Sequence, residues 1–259
     1  MALFTDYAVI TIDDLLEFET SLVQVSSTHG IDVDTKINLA TSAISDKLML
    51  WLLNIGASDP QFINRRQLGL STVVVTPPLQ RWLCFESLSR FFAEAYNVQL
   101  NTRYQGKWTE YQKEAKNAAD LSFMAGLGIV MAALPKAAEP LVSVQSGNSP
   151  AQQIFVQTAW VDVHGAEGAL SDANGQKLPA DSSIAVAMAE GALDAPAAAA
   201  GWNVYCGAQP SGLTRQNSSP LAIGSTWQLS PSGLVAGAAP IDGQKPSFYV
   251  ALSRQILRG

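Results

Sequence analysis

Cysteine is nearly absent: Cys84 and Cys206 are the only two in 259 residues. One falls in a helical pattern and the other in a strand pattern of the opposite half, so no structural disulfide is expected and the usage fits a reducing compartment. Histidine is equally scarce. His29 and His164 each sit beside a glycine at the end of an element. Without a third ligand neither supports a zinc site, and both read as solvent-facing loop residues. Charged residues make up only 15 % of the chain and sum to −6. A protein that grips a duplex needs a basic surplus to neutralise phosphates, so DNA binding by the whole monomer is disfavoured, although an acidic wall lets DNA slide past. The most apolar run, 123–134, is too short for a bilayer. Met1 to Ile12 lacks a cationic segment followed by an apolar one, so a soluble protein made in the cytoplasm is expected, with no membrane partner. There is no G-x-S-x-G elbow and no repeat of 20–50 residues.

What is present divides into two patterns. The first half has helical spacing. Thr11 suits a cap, with Asp13 and Asp14 in the first turn, and Ile12, Leu15, Leu16, Leu22 and Val23 share a stripe that ends at Gly30. Asp32 or Asp34 opens the next helix, with Ile37, Ala40, Ile44, Leu48, Trp51 and Leu52 on one face. A long connection from Asn54 to Thr76 holds Arg65-Arg66 and the β-type run Val73 to Val75. Pro77-Pro78 suit the first turn of a third helix, whose Leu79, Trp82, Leu83, Phe85, Leu88, Phe91, Phe92 and Tyr96 predict the most buried element. The fourth begins near Tyr104 to Trp108 and runs through Tyr111, Ala115, Ala118 and Ser122 towards Leu134, weakened by Gly126 and Gly128.

Composition shifts at Pro135. Residues 135–150 are rich in Pro, Ala, Ser and Gly and read as a linker. Beyond it the spacing alternates. Strands are predicted at 154–163, 184–189, 202–206, 225–229 and 248–256, with tight turns at Asn174-Gly175 and Asp242-Gly243. The fold class that follows is multidomain α plus β. An all-α bundle of about four helices spans 1–134, and an all-β sandwich of the immunoglobulin or fibronectin III type spans 151–259.

Chemistry is sparse, and no catalytic residue, metal site or cofactor is expected. Asp32-x-Asp34 fails as a calcium loop: Lys36, Ile37 and Ala43 stand where a third oxygen ligand, the turn glycine and the bidentate glutamate belong. Gly126-x-Gly128 closes a helix instead of opening one, against a phosphate loop. Tyr104 to Lys113 is the segment that stands out. Its aromatics, interleaved with Arg103, Lys107, Lys113 and Lys116, suit stacking on bases or tracking a phosphate backbone. The plainer alternative packs Trp108 and Tyr111 inward and pairs Glu110 with Lys113. Arg65 and Arg66 are candidates for contact with a partner or nucleic acid, or a solvated loop pair.

Several of these features together resemble a known family. They are Thr11-Ile12-Asp13-Asp14-Leu15, Ile31-Asp32-x-Asp34 opening a helix that ends in Leu48 to Leu52, Val73-Val74-Val75-Thr76-Pro77-Pro78-Leu79, and Arg103-Tyr104-x-Gly106-Lys107-Trp108-x-Glu110-Tyr111. The region from about 8 to 134 resembles head–tail connector (head-completion or adaptor) proteins of tailed bacteriophages. In the second half, Gly201-Trp202-Asn203-Val204-Tyr205 resembles the central strand of a fibronectin type III-like domain, followed by Leu213 to Gly224 and Ser225-Thr226-Trp227. Phe155-Val156-x-x-Ala159-Trp160-Val161 and Gly165-x-Glu167-Gly168-Ala169-x-Ser171 resemble a strand and turn of that domain, here placed early instead of late.

The resemblance implies a structural virion protein at the head–tail neck, assembled in the host cytoplasm. It implies a homo-oligomeric ring of twelve copies under the portal protein, extending the channel for non-specific passage of viral DNA. It also implies docking of the next neck or tail component, a tail-completion (stopper) or tail terminator protein. Arg65, Arg66, Arg103, Lys107, Trp108, Lys113 and Lys116 become candidate contacts with portal, neighbour or channel DNA. Two other functions compete. One is an adhesion or carbohydrate-binding module displayed on the virion, using Trp160, Trp202 or Trp227 as sugar platforms. The other is a hydrolase with paired carboxylates, Asp162 with Glu167 or Asp181 with Glu190.

Overall fold

Local signals at the N-terminal side become helices much as their chemistry dictates. The computed structural model describes residues 1–6, 8–58, 68–99, 102–191 and 193–251. Thr11 closes a capping box: its amide donates to Asp14 Oδ2 at 2.6 Å, and its hydroxyl accepts from the Asp14 amide at 3.4 Å. The helix it caps, α1 (Ile12–Leu16), is short, and the single stripe expected to run on to Gly30 is split. Glu19 breaks it by accepting from both the amide and the hydroxyl of Ser21, at 3.2 and 2.5 Å. α2 (Leu22–His29) follows and ends at Gly30, whose φ of +64° is the left-handed cap that favours glycine.

Asp32 caps α3 (Val33–Ser58) through the Asp34 amide at 3.1 Å and the Thr35 hydroxyl at 2.5 Å. Ile37, Ala40, Ile44, Leu48, Trp51 and Leu52 are all buried on it. The helix continues past Asn54, where the connection was expected to start. α4 (Pro77–Gln99) carries the broad apolar arc, with Leu79, Trp82, Leu83, Leu88, Phe91 and Phe92 buried. α5 (Gln105–Ala125) packs along α4; its inward face is Tyr111, Ala115, Ala118 and Ser122, the last three small residues that let the two backbones close.

α5 stops well short of Leu134. Gly126, at φ +91°, turns the chain, and 127–129 form a buried strand. In chain order the first two strands are β1 (Val73–Val74) and β2 (Leu127–Ile129). β2 is the centre of a three-stranded antiparallel sheet between β1 and the last strand, β10 (Phe248–Val250). The apolar run 127–130 is thus explained by a central strand, which buries both faces. β10 was expected in the sandwich; its backbone pairs with β2 instead.

The chain separates into two units, each assembled from two segments: 8–129 with 246–259, and 1–7 with 130–245. Both terminal segments therefore belong to the unit on the other side of the linker expected at residues 135–150. The proposed linker is itself structured, since 141–149 is β3 (Leu141–Ser149). The β unit continues with β4 (Gln152–Val161), β5 (Asn174–Leu178), β6 (Ser182–Ala187), β7 (Gly201–Gly207), β8 (Thr214–Arg215) and β9 (Thr226–Gln228). They form two antiparallel sheets, β3-β6-β9 and β5-β4-β7-β8. Both contribute to one core: Ile154, Val156 and Trp160 from β4, Trp202, Val204 and Cys206 from β7, and Ile184 and Val186 from β6. Asn174-Gly175 is not a turn. It lies in β5 opposite Phe155 and Val156, and Gly175 is needed because a Cβ there would sit 2.9 Å from the Phe155 ring. The molecule is accordingly a mixed α and β protein with antiparallel sheets. Among the described residues no helix is long and apolar enough to cross a membrane.

Candidate functional site

The segment singled out in sequence, 103–116, spans a short 3-10 turn (Thr102–Tyr104) and the first half of α5. Its inward residues converge on Glu19, a residue that is 6 % exposed. Glu19 Oε2 accepts from the Lys107 ammonium and from the Tyr111 hydroxyl, the latter at 3.0 Å. Burial alone would raise the Glu19 pKa, but Lys107, Ser21 and Tyr111 outweigh it and hold the carboxyl below its ordinary value. The same carboxylate, with burial the larger cause, pushes the Tyr111 hydroxyl well above the usual phenol range. Lys107 also lies 5.3 Å from the centroid of the Phe92 ring. Phe92 stacks on Tyr111 at 5.5 Å, and Trp108 stacks on Tyr96 at 5.7 Å.

Beside this node, Arg103, Tyr104, Lys107 and His29 border a groove of about 430 Å³ between α2 and the start of α5. The Arg103 guanidinium lies 5.6 Å from the Tyr104 ring centroid. His29, expected in solvent, is half-buried, with Nε2 2.9 Å from the Tyr104 hydroxyl. Its position in the last turn of α2, one residue before the Gly30 cap, turns the ring towards the protein.

A second groove, about 630 Å³, opens where α3, α4 and α5 meet. Lys47 of α3 and Lys113 and Lys116 of α5 line it, over Trp82, Glu86 and Ser89 of α4. Lys47 Nζ lies 5.4 Å from the Trp82 ring centroid. The one carboxylate in the lining, Glu86, is held by Arg90 at 2.8 and 3.0 Å. The three lysines have no ion-pair partner among the described residues, and the expected Glu110–Lys113 pair does not form.

The sequence candidates therefore divide. Lys107 and Trp108 are half-buried and engaged inside the unit, while Lys113 and Lys116 are exposed in the second groove. Arg65 and Arg66 lie outside the described residues. Sequence reading missed Glu19 and Lys47. Glu19 sits where a continuous helix was expected, and Lys47 lies one residue from the apolar stripe of α3, a spacing that puts it at the margin of the buried face.

In the β unit, the tryptophans proposed as sugar platforms are packed. Trp160 and Trp202 are 1 % and 0 % exposed, and Trp227 packs against the same core. Three of the four carboxylates proposed as hydrolytic pairs have structural partners, and the fourth, Asp181, is exposed. Asp162 Oδ1 accepts from the amides of His164 and Ala166, both at 2.8 Å, and Glu190 accepts from the Ala138 amide at 2.8 Å. Glu167 is buried, accepting from the Asn203 side-chain amide and, at 2.5 Å, from the Tyr205 hydroxyl. Among the described residues no group of three or more His, Cys, Asp or Glu is placed to hold a metal ion. Comparison with family models, curated proteins and solved structures finds no match.

Proposed function

We propose that this chain is a structural component of a tailed-phage virion that forms a ring at the head–tail neck. In this reading the helical unit closes the ring under the portal and the β unit carries a fibronectin III-like display domain. The observation that carries the reading is the cationic groove on the helical unit: three lysines without an ion-pair partner among the described residues, two of them on the helix opened by the connector-like segment 103–111. An unsatisfied charged surface on a chain with few charges is suited to recognition of another macromolecule.

The strand order of the β unit supports the second half of the reading. In an immunoglobulin-type sandwich, strands B and E are neighbours in one sheet and C′, C, F and G follow one another in the other. β3 and β6 match B and E; β5, β4, β7 and β8 match C′, C, F and G. β9 lies on the far side of β6, beside it as strand D is beside E, but it follows β8 in the chain instead of preceding β6. The alternative, a carbohydrate-binding module, loses support from the burial of Trp160 and Trp202.

Ring assembly is tested by mixing purified protein with DNA-filled, tail-less capsids and imaging the particles. The reading expects a ring of density at the single portal vertex. Protein that stays free, or that coats the capsid uniformly, overturns it.

A further inference from the structure

From the charge distribution of the helical unit we infer that the groove lined by Lys47, Lys113 and Lys116 receives the acidic edge of α1 from a second copy of this chain. Copies then join head to tail. The inference rests on the ring reading and names the contact that closes it. The groove holds three ammonium groups and one carboxylate already committed to Arg90. Lys113 and Lys116 are three apart on α5, a spacing at which like charges repel, and neither has an ion-pair partner among the described residues.

The complementary surface lies on α1. Asp13 and Glu17 are one turn apart on the same face, both exposed, with no basic residue in the last turn and no ion-pair partner among the described residues. Beside them Phe18 is 42 % exposed, its inner edge resting on Phe85 at 4.9 Å. Among the described residues neither patch is neutralised by an ion pair, and a contact between copies brings the two opposite charges together.

The patches point in different directions, as a head-to-tail contact requires. Gln80 of α4 meets α1, its side-chain amide donating to Asp14 Oδ1 at 3.3 Å. Trp82, two residues on, lines the groove, and two residues turn a helix by roughly 200°. A contact between unlike surfaces, repeated with a fixed rotation, closes into a ring when that rotation divides the full turn, and otherwise runs on as a filament. The chain's net charge of −6 repels copies in other orientations, so local complementarity sets the geometry.

The test uses two double variants of the full chain, Lys113→Glu with Lys116→Glu and Asp13→Lys with Glu17→Lys, and reads mass distribution by sedimentation in low salt. All four positions are exposed, and circular dichroism checks folding. Wild type is expected to self-associate, and each double reversal to weaken association about tenfold or more. The mixture of the two variants is expected to regain it, because each groove then meets an opposite edge. Raising salt should weaken all the complexes. A wild type that remains monomeric, or a mixture that does not recover, overturns the inference. So does a groove reversal that abolishes binding to labelled duplex DNA while self-association persists. Ring density at the portal vertex without charge-swap recovery would sink this contact and leave the ring reading standing; failure to dock on capsids would sink the reading.

Discussion

The Tyr111 hydroxyl donates to Glu19 Oε2 at 3.0 Å, tying α5 to a turn 92 positions earlier in the chain. Glu19 is buried, so each donor it loses leaves charge without compensation. Tyr111→Phe removes one donor and keeps the ring stacked on Phe92. A loss of about 1.5–2 kcal/mol is expected, because the bond is to an ionised acceptor. A urea titration checks this: the midpoint falls and the slope stays unchanged.

The same carboxylate sets a pH dependence. Its folded pKa lies below its ordinary value, because the hydrogen bonds from Lys107, Ser21 and Tyr111 outweigh burial. The stabilisation is therefore fully present above the unfolded-state pKa, and it is lost as pH falls through the folded one. Glu19→Gln should cost about 1–2 kcal/mol at pH 7, an amount discounted because the Lys107 side chain is 42 % exposed. Measured in steps from pH 7 to pH 2.5, the gap between wild type and variant should shrink steadily below about pH 4. A gap that stays constant or widens in acid would show that the charge of Glu19 contributes nothing.

The helices were legible in the sequence wherever a side chain's role is local. Thr11 and Asp14, Asp32, Gly30 and the Ile37-to-Leu52 stripe act within a turn or two of themselves, and each appears as read. What escaped depends on partners far along the chain. The strand 127–129 looked like the end of α5 because its apolar run has no period; only pairing with β1 and β10 makes it a strand. The Asn174-Gly175 pair carries a turn signal, yet the glycine is there to make room for the Phe155 ring. Of the charged candidates, sequence could not separate Lys107 from Lys113. One reaches a carboxylate 88 positions away and the other faces an open groove.

Trp108 is half-buried and stacked on Tyr96, instead of sealed in the core. Trp108→Ala should therefore cost about 1–2 kcal/mol, well under the roughly 3–5 expected for a fully buried tryptophan. Thermal unfolding of the isolated protein checks the size of the effect. A loss above about 3 kcal/mol would mean that the ring supports the packing of α4 on α5 throughout.

The two thiols report on the two units separately. Cys84 lies in the helical unit and Cys206 in the β unit, both buried. Burial pushes each pKa up to about 12, with Asp14 and Glu17 adding to the effect at Cys84. Neither should react with a thiol reagent at pH 8 in native buffer, and both should react at full rate in denaturant. Following each single Cys→Ser variant as denaturant rises shows whether the units open together or in sequence.

Glu167 makes the sharpest case in the β unit. Its carboxylate takes hydrogen bonds from Asn203 and Tyr205 and lies 4.0 Å from an Arg215 guanidinium nitrogen. Asn203 is held in turn: its side-chain oxygen accepts from Asn217 at 2.7 Å, and Asn217 accepts from the Val204 amide at 2.9 Å. The network anchors the 162–171 loop over β4, where the Gly168 amide donates to the Trp160 carbonyl at 2.9 Å. Glu167→Gln removes the charge and turns one of the two acceptor oxygens into an NH2 donor, so the side chain can no longer accept from both Asn203 and Tyr205, and a loss of about 2–4 kcal/mol is expected. Asn203→Asp alone sets two carboxylates against each other and should cost a similar amount. Together the two changes exchange donor and acceptor across the same contact. The double variant should recover at least about 1 kcal/mol relative to the sum of the singles, a coupling measurable by a mutant cycle in urea. Strict additivity would show that Glu167 and Asn203 do not interact, and that the loop is held by packing of Tyr205, Ala159 and Leu213 alone.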